Sequence, residues 1–158
     1  MTLERVPVRV QPGSGQAEAI LDLIRRCFAQ MEGRIDPPSS MHRLTVKTVE
    51  QHCRDGEVWT IGTPPVACVF LTPKSDCLYL GKLAVDAAWR GQGLAARLVD
   101  LATDRARARG LDAVELQVRV ELVENHRAFA RMGFVKTAET AHPGYDRPTS
   151  ITMQRAVL

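Results

Sequence analysis

The feature that most constrains the fold is a strand, a short loop and a glycine-rich helix start, which follow one another between Leu78 and Ala95. Residues 78–85 are largely apolar and predict a strand, and helical spacing of apolar residues predicts a helix over 94–109. Between them lies the turn Arg90-Gly91-Gln92-Gly93-Leu94-Ala95. Glycine lets the backbone turn sharply, and the first N–H groups of a helix have no internal acceptor. This turn therefore suits a phosphate or another anion.

The charge pattern around the turn supports an anion site. No acidic residue occurs between Asp86 and Asp100, although ordinary helices often place Asp or Glu in the first turn. A dinucleotide fold would require GxGxxG with a later acidic residue, and a P-loop would require GxxxxGK followed by Ser or Thr. The turn matches neither pattern. Taken alone, it is compatible with a purely structural role as well as with anion binding.

The rest of the chain predicts the element order β α α β β β α β α β β, a mixed α/β fold with helices on both sides of one sheet. A length of 158 residues fits a single domain over 1–158. Strands are predicted at 6–10, 58–63, 66–71, 78–85, 113–118, 134–140 and 149–156, and helices at about 20–31, 45–54, 94–109 and 124–132.

Composition excludes several classes of function. The net charge of +3 is too small to favour nucleic-acid binding, and Arg105, Arg107 and Arg109 are interpreted as a solvated helix face. No apolar run is long enough for a bilayer span and no secretory signal is visible, so a soluble, cytoplasmic protein without a membrane partner is expected. The four cysteines form no C-x-x-C pair, which predicts reduced thiols and no metal site.

The segment 78–135 resembles the GCN5-related N-acetyltransferase (GNAT) family. The pyrophosphate loop of that family has Gln or Arg, two residues, Gly, one residue, and Gly or Ala, and Arg90, Gly93 and Ala95 match it. Gly133-Phe134 resembles the Gly-Phe pair that follows the second helix of the motif. The resemblance implies a central mixed, mostly antiparallel sheet of six to seven strands, about four flanking helices and splayed central strands. It also implies an acyltransferase that uses acetyl-CoA or another acyl-CoA as co-substrate.

The same resemblance assigns the CoA site. Backbone amides of the turn would bind the pyrophosphate, and the backbone of the preceding strand would pair with the pantetheine arm. The residues so assigned are Leu83, Ala84, Val85, Arg90, Gly91, Gln92, Gly93, Leu94, Ala95, Asn125 and Phe129. Asn125 has a second interpretation, because asparagine is a frequent helix N-cap.

Acyl transfer to an amine needs a neutral amine and a proton for the departing thiolate. A lysine-like amine has a pKa of ~10.4, so a base must remove a proton near neutral pH, whereas a thiol with a pKa of ~8.5 leaves with little help. The family often places a tyrosine acid where this chain has Phe129, which cannot donate a proton. Tyr145, in the loop before the last strand, is the candidate catalytic residue.

Other polar residues are candidates by location only. Glu32, Asp36 and Glu115 are candidate bases, each with a surface or capping role as the alternative. Tyr79 is interpreted as a packing residue and Lys82 as a snorkelling one. His142, Asp146 and Arg147 are expected to shape an acceptor pocket or to form a turn.

The prediction is therefore an N-acetyltransferase that acts on an amine of a small molecule or peptide. A catalytically silent acyl-CoA-binding or regulatory module remains open because of Phe129. A nucleotide-phosphate binder on an unrelated mixed fold is a third alternative. The exposed final strands also allow a homodimer.

Overall fold

The computed structural model describes residues 5–31 and 33–157, and its element order is the predicted one. Three short 3-10 helices supplement the regular elements, at Ala29–Met31, Ser40–Arg43 and Ala87–Trp89. The regular elements are β1 (Val8–Arg9), α1 (Ala17–Phe28), α2 (Val46–Asp55), β2 (Glu57–Ile61), β3 (Ala67–Pro73), β4 (Cys77–Val85), α3 (Leu94–Ala108), β5 (Ala113–Arg119), α4 (Val123–Arg131), β6 (Val135–Thr140) and β7 (Ser150–Ala156).

The seven strands form one sheet in the order β1-β2-β3-β4-β5-β7-β6. Every neighbouring pair is antiparallel except β4 and β5, which are parallel. A parallel pair needs a long crossover, and here α3 supplies it. The predicted mostly antiparallel sheet with four flanking helices is confirmed.

The central strands are splayed. Both β4 and β5 lie wholly within the described residues, and they pair only from Cys77 opposite Ala113 to Tyr79 opposite Glu115. Beyond that point β4 continues to Val85 and β5 to Arg119 without pairing. A gap therefore opens between the carboxyl ends of the two strands.

A bulge in β4 accompanies this gap. The register between β3 and β4 shifts between Cys68 and Phe70, and Lys82 on the opposite strand has φ of +51°. An extra residue on one strand of an antiparallel pair bends that strand and increases its twist. The bulge thus lies on the part of β4 that borders the gap.

Each face of the sheet carries its own apolar core. The side chains of α3 pack with those of β5 on one face, where Leu98, Val99 and Leu116 are buried. On the other face α1 and α2 pack against β2 and β3, where Ile24, Val49 and Phe70 are buried. The loop before α2 contributes Leu44 to the second core and packs Ile35 against the first.

The interpretation of the arginines on α3 as a solvated face was wrong for two of them. The carboxylate of Glu57 on β2 is buried, and it accepts hydrogen bonds from Arg105 Nε at 2.8 Å and Arg109 Nε at 2.7 Å. Trp59 Nε1 donates to the same carboxylate at 2.8 Å. Helical periodicity identifies the arginines but not a glutamate on a strand beneath them. Arg107 alone pairs with a neighbour on its own helix, Asp104.

Across residues 5–31 and 33–157, no helix has both the length and the apolar character needed to cross a bilayer.

Candidate functional site

The glycine turn has a backbone conformation that side chains disfavour. Gly91 has φ of +76° and Gly93, the N-cap of α3, has φ of +80°. A Cβ built on either residue would have no atom within 4 Å. Glycine is therefore needed here for the backbone conformation rather than to avoid another part of the protein. The surface beside both residues is open to a ligand.

The turn is also electrostatically suited to an anion. The first turn of α3 contains no acidic residue. The first N–H groups of this 15-residue helix have no intrahelical acceptor, and they lie at the positive end of the helix dipole. Backbone donors and dipole together favour a phosphate at this position.

Two arginines lie at the turn. Arg90 Nε donates to the carbonyl oxygen of Val85 at 3.3 Å. Arg5 Nη2 donates to Gln92 Oε1 at 2.7 Å, so the N-terminal segment places a second guanidinium beside the turn. Sequence analysis named Arg90 and Gln92 but missed Arg5, because no local pattern connects residues that are 87 positions apart.

The three residues assigned to the pantetheine arm have different surroundings. The N–H of Asp86 donates to the carbonyl oxygen of Val66, just before β3, at 2.8 Å. Successive residues of a strand direct their N–H and C=O groups to opposite sides, so those of Val85 point away from β3. Its carbonyl accepts from Arg90 and from Cys27 Sγ at 3.3 Å. Leu83 lines the gap, whereas Ala84 is buried in the core beneath α1 and α2.

A cavity of about 550 Å³ occupies the gap between β4 and β5. It extends from the α4 side, where Asn125 and Phe129 line it, to the α1–α2 side, where Phe28 and Pro38 line it. The cavity thus has one wall formed by α4 and another formed by the loop before α2. Two molecules that enter from opposite faces of the sheet would meet in this gap.

The structure distinguishes the two interpretations of Asn125. The N-cap of α4 is Leu122, which makes Asn125 the third residue of the helix. The capping interpretation is therefore wrong, and the exposed Asn125 lines the cavity instead. Phe129, one turn later, is half-buried and meets Phe134 edge to face at a centroid distance of 5.7 Å. At this position the cavity wall has an aromatic ring but no hydroxyl.

Tyr145 connects two loops at the rim of the cavity. Its hydroxyl donates to Asp36 Oδ1 at 2.6 Å, and Arg147 Nη2 lies 3.3 Å from Asp36 Oδ2. Arg119 donates to the carbonyl oxygens of Pro37 at 2.7 Å and Pro38 at 3.1 Å. We call these contacts the loop clasp. The bond to Asp36 raises the pKa of Tyr145, whose side chain does not line the cavity.

Two of the candidate bases from the sequence, Glu115 and Asp36, do not line the cavity. Glu115 accepts hydrogen bonds from Gln154 at 3.1 Å and Cys77 at 3.4 Å, at the closed end of the gap. Asp36 belongs to the loop clasp, and Glu32 lies outside the described residues.

Two residues interpreted as structural do line the cavity. Tyr79 lies at the last pair between β4 and β5, and burial raises its pKa, while the N–H of Gln117 donates to its hydroxyl. Lys82 lies at the bulge, and burial lowers its pKa, with further contributions from the positive charges of Arg119 and Arg43.

Two histidines that line the cavity have lowered pKa values. Burial lowers the pKa of His52, and the charge of Lys82 lowers it further. Burial also lowers the pKa of His142, with a smaller effect from Arg119. A histidine with a pKa below its usual value is mostly neutral near neutral pH. Sequence analysis named His142 as a pocket residue but missed His52, which has no motif around it.

Comparisons with known proteins identify relatives of this chain. The sequence model of the acetyltransferase (GNAT) family matches residues 17–134. N-alpha-acetyltransferase 30 of Saccharomyces cerevisiae is 32% identical over 82 residues, which are 48% of this chain and 47% of that protein. The matched region thus represents about half the length of this curated relative.

Two solved structures have the same fold. An acetyltransferase of the GNAT family from Staphylococcus aureus superposes with a TM-score of 0.73 at 13% identity, over 97% of this chain and 100% of that one. Ard1 from Thermoplasma volcanium superposes with a TM-score of 0.73 at 21% identity, over 97% of both chains. Because the family sequence pattern extends over most of the chain and the fold is shared, this protein belongs to the acetyltransferase (GNAT) family.

Proposed function

We propose that this protein is an N-acetyltransferase that transfers the acetyl group of acetyl-CoA to an amine of a small molecule or peptide. The observation that carries the proposal is the cavity between β4 and β5, which is walled by the CoA residues on one face and by the loop before α2 on the other. A yeast relative that is named as an N-alpha-acetyltransferase supports an amine as the acceptor.

The CoA half of the site would act mainly through the backbone. The N–H groups around Gly93 would hold the pyrophosphate, and the backbone of Leu83 and Val85 would pair with the pantetheine arm as an added strand would. Asn125 and Phe129 would flank that arm from α4. These contacts would direct the thioester into the gap.

In the reaction the amine nitrogen forms a bond to the thioester carbonyl carbon, the carbon–sulfur bond breaks, and the amine loses a proton. We propose that His52 or His142 receives this proton, directly or through water, because both line the cavity and both have lowered pKa values. The thiolate of CoA is a good leaving group, so the reaction does not require a tyrosine at position 129.

The test is release of free thiol from acetyl-CoA in the presence of a panel of small amines and peptides, together with thermal unfolding in CoA or in ATP. The proposal requires thiol release with at least one amine and stabilisation by CoA but not by ATP.

A silent acyl-CoA-binding module is the second candidate, and Phe129 is the observation that favours it. Stabilisation by CoA without thiol release for any amine would support that module. Stabilisation by ATP but not by CoA would refute both candidates and support a nucleotide-phosphate binder.

A further inference from the structure

Three cationic side chains converge on the acceptor side of the cavity. Lys82 comes from the bulge of β4, Arg119 from the end of β5, and Arg43 from the 3-10 helix before α2. They are far apart in the sequence, and the proposed function assigns none of them a role. The two strands that border the gap each supply one of these charges, and the loop above it supplies the third.

Arg119 is directed to this side by the strand alternation. Val114, Leu116 and Val118 are buried in the core beneath α3, so Glu115, Gln117 and Arg119 point to the opposite face. The guanidinium of Arg119 donates to the carbonyl oxygens of Pro37 and Pro38, which are neutral acceptors. These two bonds fix the position of the guanidinium beside the cavity.

The three charges act on one another. The pKa of Lys82 is lowered by burial and then by the positive charges of Arg119 and Arg43. Burial lowers the pKa of Arg119, and the negative charges of Glu121 and Asp36 oppose this shift; Asp36 also binds Tyr145 and Arg147 at the rim. A bound anion between the three cations would relieve their mutual repulsion.

We infer that the acceptor is a primary amine that also carries a carboxylate, which Arg43, Lys82 and Arg119 bind while the amine faces the gap. This inference rests on the proposed function and names the substrate class of the same site. A guanidinium binds a carboxylate with two parallel hydrogen bonds, so Arg43 or Arg119 would fix the orientation as well as the charge of the acceptor. Anchoring one end of the acceptor places its amine against the thioester, which lowers the entropic cost of the reaction.

The first test compares acceptors that differ only in charge. The small-molecule pair is γ-aminobutyrate and γ-aminobutyramide, and the peptide pair is Ala-Glu-amide and Ala-Gln-amide. We expect kcat/KM to be at least about tenfold higher for the acid in one of the pairs, as a charge-assisted hydrogen bond implies. The pair that shows the preference distinguishes a free amino acid from a peptide. Equal rates within both pairs, or a preference for O-phosphoethanolamine over every carboxylate, would overturn the inference.

The second test changes the protein. In Arg43→Gln the preference for the acid should fall to less than about threefold, and in Arg43→Glu it should shift towards Ala-Lys-amide. Arg54→Gln is the matched control, because Arg54 lies on α2, contacts Gln51 and does not line the cavity. A preference that survives Arg43→Glu, or one that Arg54→Gln also removes, would contradict the assignment.

A binding measurement separates this inference from the proposed function. N-acetyl-Ala-Glu-amide and N-acetyl-Ala-Gln-amide, together with their γ-aminobutyrate counterparts, are titrated into the CoA-bound protein by calorimetry. Tighter binding of an acid without any turnover would support the carboxylate site and refute the transferase. Turnover of neutral amines without tighter binding of either acid would leave the transferase standing and refute the carboxylate site.

Discussion

Glu57→Gln removes the buried carboxylate that joins β2 to the last turns of α3. Arg105, Arg109 and Trp59 hydrogen-bond to this group, and they lower the pKa of Glu57 from its ordinary value of 4.5 to about 2 despite its burial. The pKa of Glu57 is lower in the folded protein than in the unfolded protein. The carboxylate therefore stabilises the fold fully at pH values above the unfolded pKa. This stabilisation is lost as the pH falls towards the folded pKa. This difference in pKa corresponds to about 3 kcal/mol of unfolding free energy.

The assay is urea unfolding of the wild type and the variant at several pH values. At about pH 7 the wild type should be more stable by about 3 kcal/mol, and at about pH 3 this advantage should narrow by about 2 kcal/mol. Glutamine can still accept the Trp59 bond, but its amide NH2 group cannot accept the bonds that Glu57 Oε2 accepts from Arg105 and Arg109, so the variant loses these bonds together with the charge. Asp104→Asn is the control, since its pair with Arg107 is exposed and should contribute less than about 0.5 kcal/mol. An advantage that is below about 1 kcal/mol at neutral pH, or that does not change with pH, would refute this reasoning.

Three further predictions concern the site. Gly93→Asp should abolish CoA binding by calorimetry and lower Tm by about 2–4 °C, because φ of +80° disfavours a side chain and a negative charge would enter the anion site; unchanged CoA affinity would exclude the turn. Tyr145→Phe removes the bond to Asp36, so KM for the amine should rise several-fold while KM for acetyl-CoA stays constant; a fall in kcat of about a hundredfold would instead make Tyr145 the proton donor. Phe129→Tyr should change kcat by less than about tenfold, since the thiolate leaves readily; a gain of about a hundredfold would contradict that view.

The glycine turn, to which the proposal assigns CoA, is predictable because it is local. Positive φ at Gly91 and Gly93, a helix start and the absence of acidic residues are properties of a few consecutive residues. The order of strands and helices is likewise visible in the spacing of apolar side chains.

The part of the cavity proposed to hold the acceptor was decided by tertiary structure. Arg43, His52, Lys82, Arg119 and His142 meet at one cavity, although they lie on different elements and no spacing rule connects them. The β4 bulge and the early end of the β4–β5 pairing bring them together, and both depend on the fit between neighbouring strands. Contacts between residues that are distant in sequence depend on the path of the whole chain.

Elsewhere in the chain, too, local patterns were visible in the sequence, whereas contacts between distant residues were not. A pattern on α3 identified its arginines, but only packing placed the buried carboxylate of Glu57 beneath Arg105 and Arg109, where it pairs with both. The sequence shows Tyr145 only as a tyrosine in a loop, and the fold brings its hydroxyl within hydrogen-bond distance of Asp36. Sequence alone therefore determined the conformation of the glycine turn and the family, because backbone conformation is local. The tertiary structure decided the charge and shape of the cavity, because those depend on which distant side chains line it.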